Sequence, residues 1–127
     1  MENRIFRLPD AELAVMQALW AAGRPLTRPE LEQALTGQSW TRSTLLSLIA
    51  RLEKRGFVEK QPNGKGFLYA PLVSQGDYRK AESRGVLQRV FGGSPKQFIA
   101  ALYDGQALSA GDIAELEAYL RQLQKEE

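Results

Sequence analysis

The sequence predicts a mainly α-helical protein with one small β-hairpin. Three observations carry that reading. Apolar residues recur at helical spacing through most of the 127 residues. The period drops to that of a strand only around residues 57–70, where aromatic and branched residues flank an Asn-Gly pair. Gly, Pro and Ser/Thr punctuation divides the chain into short elements.

The first helix opens at Pro9-Asp10 and runs to about Ala22, with Leu13, Met16, Leu19 and Trp20 on one face. The Gly23-Arg24-Pro25 run stops it. Thr27 then reads as an N-cap with Glu30 as its capping-box partner, and Leu26 and Leu31 stand where a hydrophobic staple places them. A short second helix carries Leu31 and Leu35 and is expected to end at Gly37. The third helix repeats this opening: Thr41 is the cap, and Trp40 and Leu45 form the staple. Its apolar residues, Leu45, Leu48, Ile49 and Leu52, follow the i, i+3, i+4, i+7 pattern, and Gly56 supplies a left-handed stop.

Residues 57–61 and 67–70 read as the two strands of a hairpin. Asn63-Gly64 is the expected turn, since both residue types tolerate positive φ. The remainder reads as three helices. The first starts at Ser74 with Asp77 and stops at Gly92-Gly93. The next starts at Ser94-Pro95, with Pro at a position where its missing N–H costs nothing. The last starts at Leu108-Ser109, with Ile113, Leu116, Leu120 and Leu123 as a heptad-like stripe.

Helix, helix, helix, hairpin is the layout of a winged helix-turn-helix, expected over residues 1–73. Residues 74–127 are expected to form a helical dimerisation domain. At 100° per residue, the third helix turns Ser43, Ser47, Ala50 and Lys54 away from its apolar stripe, with Leu46 and Arg51 on the flanks. Slim polar residues suit a helix that meets base edges in a major groove about 12 Å wide. Free N–H groups at its start favour phosphate, and Thr41, Arg42, Ser43 and Thr44 cluster there. Lys60, Asn63 and Lys65 of the hairpin fall where a wing meets backbone phosphate or a minor groove. The expected DNA-binding set is therefore Thr41, Arg42, Ser43, Thr44, Ser47, Arg51, Lys54, Lys60, Asn63 and Lys65.

Charge agrees with a focused anionic partner. The chain carries a net +2, yet residues 40–66 hold six basic side chains against two acidic ones. A solvated helix face accounts for the same charges. Thr41 is a cap in either case, Asn63-Gly64 needs only a turn, and Trp20 and Trp40 read as core and staple.

The chain has no Cys and no His. That excludes disulfide scaffolds, thiolate metal sites, Cys nucleophiles and His-based triads. Neither an enzyme nor a cofactor is expected. No apolar run approaches the roughly 20 residues that span a bilayer, and the first residues lack an apolar signal core, so a cytoplasmic address without membrane insertion is expected.

Dimerisation is expected on physical grounds. Three short helices without metal or disulfide rarely bury enough surface to fold alone. They nevertheless carry Tyr78, Leu87, Val90, Phe91, Phe98, Ile99, Leu102, Ile113, Leu116, Leu120 and Leu123. Each such side chain is worth roughly 1.5–3 kcal/mol on full burial, so a second copy is the expected cover. A two-fold dimer presents two reading heads to inverted half-sites. Two other functions fit the same layout: a winged helix used for protein–protein contact, and a ligand-sensing regulator with a pocket around Phe91, Phe98 and Tyr103.

The ordered segments resemble the penicillinase repressor family, which includes the methicillin-resistance and copper-responsive repressors. The resemblance rests on residues 8–20 (LPDAELAVMQALW), 40–56 (WTRSTLLSLIARLEKRG), 69–74 (YAPLVS) with Asp77-Tyr78, and 90–94 (VFGGS). It implies a dimeric repressor with a winged helix on a palindromic operator. The family's recognition positions fall on Thr41, Arg42, Ser43, Thr44 and Ser47, and its wing on residues 57–70. Two departures stand out. The cysteine cluster of the copper-responsive members is absent. Antibiotic-responsive members are cut between Asn and Phe through a membrane sensor-protease pathway, and that bond aligns with Ala101–Leu102, where the Asn is missing. The inducing signal is left open.

Overall fold

The structure is a computed structural model that describes residues 7–126. In chain order its elements are α1 (Asp10–Ala22), β1 (Leu26–Thr27), α2 (Arg28–Ala34), a 3-10 turn (Thr36–Gln38), α3 (Arg42–Lys54), β2 (Val58–Asn63), β3 (Gly66–Pro71), α4 (Gln75–Phe91), α5 (Pro95–Asp104) and α6 (Ala110–Lys125). The mainly helical winged-helix expectation is met.

The chain divides into two units, residues 1–82 and 83–127. The first unit thus reaches past the expected boundary at 73/74 and takes in the start of α4. Tyr78 shows why. This residue, expected on the dimerisation stripe, is only 4% exposed and belongs to the core of the first unit. Its hydroxyl accepts a hydrogen bond of 2.9 Å from the Leu8 N–H. Its ring centroid lies 5.7 Å from that of Trp20 and 6.1 Å from that of Phe57. A large ring with one polar end is well suited to a core rim where a backbone N–H needs an acceptor.

That core is built from the stripes the periodicity marks. Met16 and Leu19 of α1, Leu31 of α2 and Leu45, Leu48, Ile49 and Leu52 of α3 are buried together with Phe57, Val58 and Tyr69. In α1 the inward stripe is rotated from expectation: Glu12 and Val15 are buried, whereas Leu13 and Trp20 are half-buried. Trp20 is fixed at the rim by a 2.9 Å hydrogen bond from its indole N–H to the Val73 carbonyl.

The sheet holds three strands in the order β1-β3-β2, not the hairpin alone. Leu26 and Thr27 pair antiparallel with Tyr69 and Leu68 of β3. Both residues serve twice, as ladder partners and as the staple and cap of α2. The hairpin turn sits one residue later than expected. Asn63 pairs with Gly66, so Gly64 and Lys65 form the turn, and Gly64 alone of the two takes a positive φ, +62°. Gly in the first of two turn positions matches a type II′ hairpin turn. Pro62 is accommodated because β2 is an edge strand. The second helix ends before Gly37, and Ser39 rather than a glycine takes the left-handed conformation that leads into α3.

In the second unit Ser94 and Ser109 cap α5 and α6, the latter with a full capping box to Asp112. Phe91 and Phe98 stack with centroids 5.0 Å apart. No described residue beyond Tyr78 is buried.

Candidate nucleic-acid interface

The third helix is held from both ends and from beneath. At its start, Thr41 Oγ1 accepts a 3.1 Å hydrogen bond from the Thr44 N–H, and the two hydroxyls lie 3.1 Å apart. At its end, the Arg55 guanidinium donates to the buried Glu12 carboxylate of α1. Beneath, the four apolar residues of α3 are buried. This anchoring leaves the opposite face open. Thr41, Arg42, Ser43, Thr44, Ser47, Arg51 and Lys54 are all exposed. Lys60, Asn63 and Lys65 of the wing are exposed as well.

Between α3 and the wing runs a groove of about 580 Å³, lined by Thr27, Arg28, Pro29, Leu46, Lys60, Asn63, Lys65, Gly66, Phe67 and Tyr69. It therefore brings the three wing residues close to the recognition helix. Lys60 lies with its ammonium 4.6 Å from the Phe67 ring centroid, a geometry in which the cation is attracted to the ring face. The Tyr69 phenol is raised above its ordinary value by burial first and by the Glu53 charge second, against an opposing effect of Arg28. It stays a neutral donor through the physiological range.

A carboxylate pairs with two of the basic residues near α3. Glu32 of α2 lies 2.8 Å from Arg28 and 3.6 Å from Arg42. Arg28 and Phe67 line the groove and Glu32 pairs with Arg28 and Arg42, and the sequence alone singles out none of the three. Arg28 and Glu32 are visible in sequence only as an ordinary i, i+4 pair on a helix. Phe67 reads as an ordinary strand aromatic until the groove shows which way it is left. Ala101 is exposed and Leu102 half-buried, both inside α5.

A helix capped by threonine, packed with α1 and α2 in one core and flanked by a basic β-hairpin, defines a winged-helix protein. The chain belongs to the penicillinase repressor family, whose model matches residues 8–122. It is similar to the methicillin resistance regulatory protein MecI of Staphylococcus aureus (strain N315), with 27% identity over 116 residues, 91% of this chain and 94% of the relative. The penicillinase repressor of Bacillus licheniformis is 26% identical over 114 residues, 90% of this chain and 89% of the relative. Among solved structures, the DNA-binding domain of the repressor BlaI matches with a TM-score of 0.51 and 30% identity, covering 57% of this chain and 88% of that one. Monomeric Bacillus licheniformis BlaI in complex with the blaP half-operator matches with a TM-score of 0.50 and 31% identity, covering 58% of this chain and 90% of that one. Among the described residues, no helix is long and apolar enough to cross a membrane.

Proposed function

We propose that this protein is a sequence-specific transcriptional repressor that binds a palindromic DNA operator as a homodimer. The carrying observation is the outward face of α3, which exposes Thr41, Arg42, Ser43, Thr44 and Ser47 and is basic at Arg51 and Lys54. Ser43 and Ser47 are small enough to approach base edges, and Arg42 has the planar donor fork suited to guanine. Arg51, Lys54, Lys60 and Lys65 supply charge for phosphates, and Asn63 a neutral donor. That the similar BlaI was solved on a half-operator supports DNA binding by this unit, and the residue roles rest on exposure and side-chain chemistry.

The second unit supports dimer formation. Val90, Ile99, Ile113, Leu120 and Leu123 are exposed, and Leu87, Phe91, Phe98, Leu102 and Leu116 are only half-buried. A groove of about 410 Å³ between α5 and α6 is lined by Pro95, Ile99, Leu108, Ile113, Leu116 and Leu120 among others. An apolar surface of this extent calls for a partner, and a second copy gives the two-fold symmetry that inverted half-sites require. The division of labour is then reading by residues 1–73 and pairing by residues 74–127, with Tyr78 left to the core. The protein works beside chromosomal DNA, in the cytoplasm.

Release would come from a signal that weakens pairing. A membrane sensor-protease pathway acting at Ala101–Leu102 would have to open α5 locally before the bond could enter a protease, since its backbone is helical. Duplexes selected from a random pool test the main reading. Tight, steeply salt-dependent binding to an enriched inverted repeat is expected, with one dimer per site. A pool that yields no enriched sequence would overturn it.

A further inference from the structure

Of the apolar side chains on α3, Leu45, Leu48, Ile49 and Leu52 are buried, whereas Leu46 is 41% exposed. It stands three residues from Ser43 and four from both Arg42 and Ala50, all of them exposed. On a helix those spacings make neighbours of one face. Leu46 is therefore a protruding apolar group set among slim residues of the reading surface. It also lines the groove toward the wing, together with Phe67, itself 39% exposed. The rim of that groove is cationic, with Arg28, Lys60 and Lys65.

A cationic rim with an apolar wall fits an anionic partner that offers an apolar group at its recognition surface. On double-stranded DNA the major-groove edge of the base pairs offers one such group, the C5-methyl of thymine. We propose that Leu46 is a specificity-determining residue that reads the methyl group of one thymine in each operator half-site. The inference rests on the DNA-reading function proposed above and adds a base identity to it. Phe67 forms the apolar wall that keeps water from the contact, and the Arg28, Lys60 and Lys65 charges hold the flanking phosphates.

The probe is deoxyuridine, which differs from thymidine only by that methyl. The full-length protein first selects its duplex from a random pool, and each thymine of the selected site is then replaced singly by uracil. Replacement of one thymine per half-site should weaken wild-type binding about fourfold, the value of one buried methyl. Leu46→Ala should bind the thymine and uracil duplexes equally at that position, and the pool selected by Leu46→Gln should lose its thymine there. Because Leu46 is exposed, both variants should keep the wild-type melting temperature. Wild-type indifference to uracil at every thymine overturns the role of Leu46 while leaving the repressor reading intact. Equal uracil sensitivity in wild type and Leu46→Ala overturns it as well. Failure of the wild-type selection removes both.

Discussion

The Glu12 carboxylate, on the inward face of α1, accepts a hydrogen bond from the guanidinium of Arg55, at the C-terminal end of α3. The two residues are 43 positions apart in sequence. Glu12 is 2% exposed, and the Arg55 guanidinium lies against it. Truncating one partner of a buried pair leaves an uncompensated charge and costs about 3–5 kcal/mol. Arg55→Ala should lose stability in that range in urea unfolding, while Glu12→Leu combined with Arg55→Leu should lose far less. Equal losses for the single and double variants would show that the pair is not the source. The pair also ties the reading helix to the first helix, so Arg55→Ala should weaken DNA binding beyond the loss of one charge.

Arg24 and Glu30 form a second, exposed pair whose contribution depends on pH. The Arg24 guanidinium donates to Glu30 at 2.8 Å, and the Thr27 N–H donates to the same carboxylate at 2.9 Å. Arg24 first and the Thr27 backbone second lower the Glu30 carboxyl from its ordinary 4.5 to about 2. A folded value below the unfolded one stabilises the fold once the group ionises. The contribution is complete above about pH 4.5 and is lost as pH falls toward 2. Glu30→Gln should therefore unfold at lower urea than wild type at pH 6. The gap should close progressively between pH 4.5 and 2, and a gap independent of pH would contradict the assignment.

The proposed interface residues divide by what each would touch. Arg42→Ala and Ser43→Ala, at the groove-facing start of α3, should weaken binding to the selected operator more than to random duplex. Each of Lys54→Ala and Lys65→Ala should weaken binding to any duplex and flatten the salt dependence by about one unit. Titrating both kinds of duplex across a salt series separates the two patterns. An unchanged slope would remove that lysine from the phosphate contacts.

What the sequence made legible follows from the range of the forces involved. The caps at Thr27, Thr41 and Ser109 are local, and each is found where the spacing put it. The inward stripe of α3 is likewise set by periodicity alone. By contrast, β1 is two residues long, too short for alternation to register, and exists because β3 comes to lie beside it. By sequence, Tyr78 reads as one more apolar residue of the C-terminal helices. Its place in the first core depends on the unmet Leu8 N–H, which only tertiary structure reveals. The Asn63-Gly64 pair gave the hairpin correctly and the register one residue early. Ladder pairing between Asn63 and Gly66 outweighs the tolerance of Asn for positive φ.

Leu120 lies in the middle of α6 with more than half its surface exposed, on the wall of the groove between α5 and α6. A carboxylate there would remain solvated in a monomer and would be driven from water in a paired state. Leu120→Asp should leave the melting of the winged-helix unit intact and shift sedimentation to the monomer at micromolar concentration. Operator binding should fall with it, because two linked reading heads are reduced to two independent ones. Retained tight binding by a monomeric variant would separate pairing from recognition.

Glu32 places a negative charge between Arg28 and Arg42. It lies 2.8 Å from Arg28 and 3.6 Å from Arg42, and a neighbouring phosphate would compete for both cations. In the free protein it restrains the Arg42 side chain, which is otherwise largely solvated. Exposed pairs of this kind are worth about 0.2–1 kcal/mol, which sets the size of the effect. Glu32→Gln should strengthen binding to random duplex roughly two- to fivefold, by removing repulsion and freeing Arg42. Binding to the operator should gain less, since the freed arginine starts from a broader set of conformations. The ratio of the two affinities, measured at one salt concentration, should therefore fall. A variant that raised both affinities by the same factor would show that Glu32 acts only through its charge and does not position Arg42.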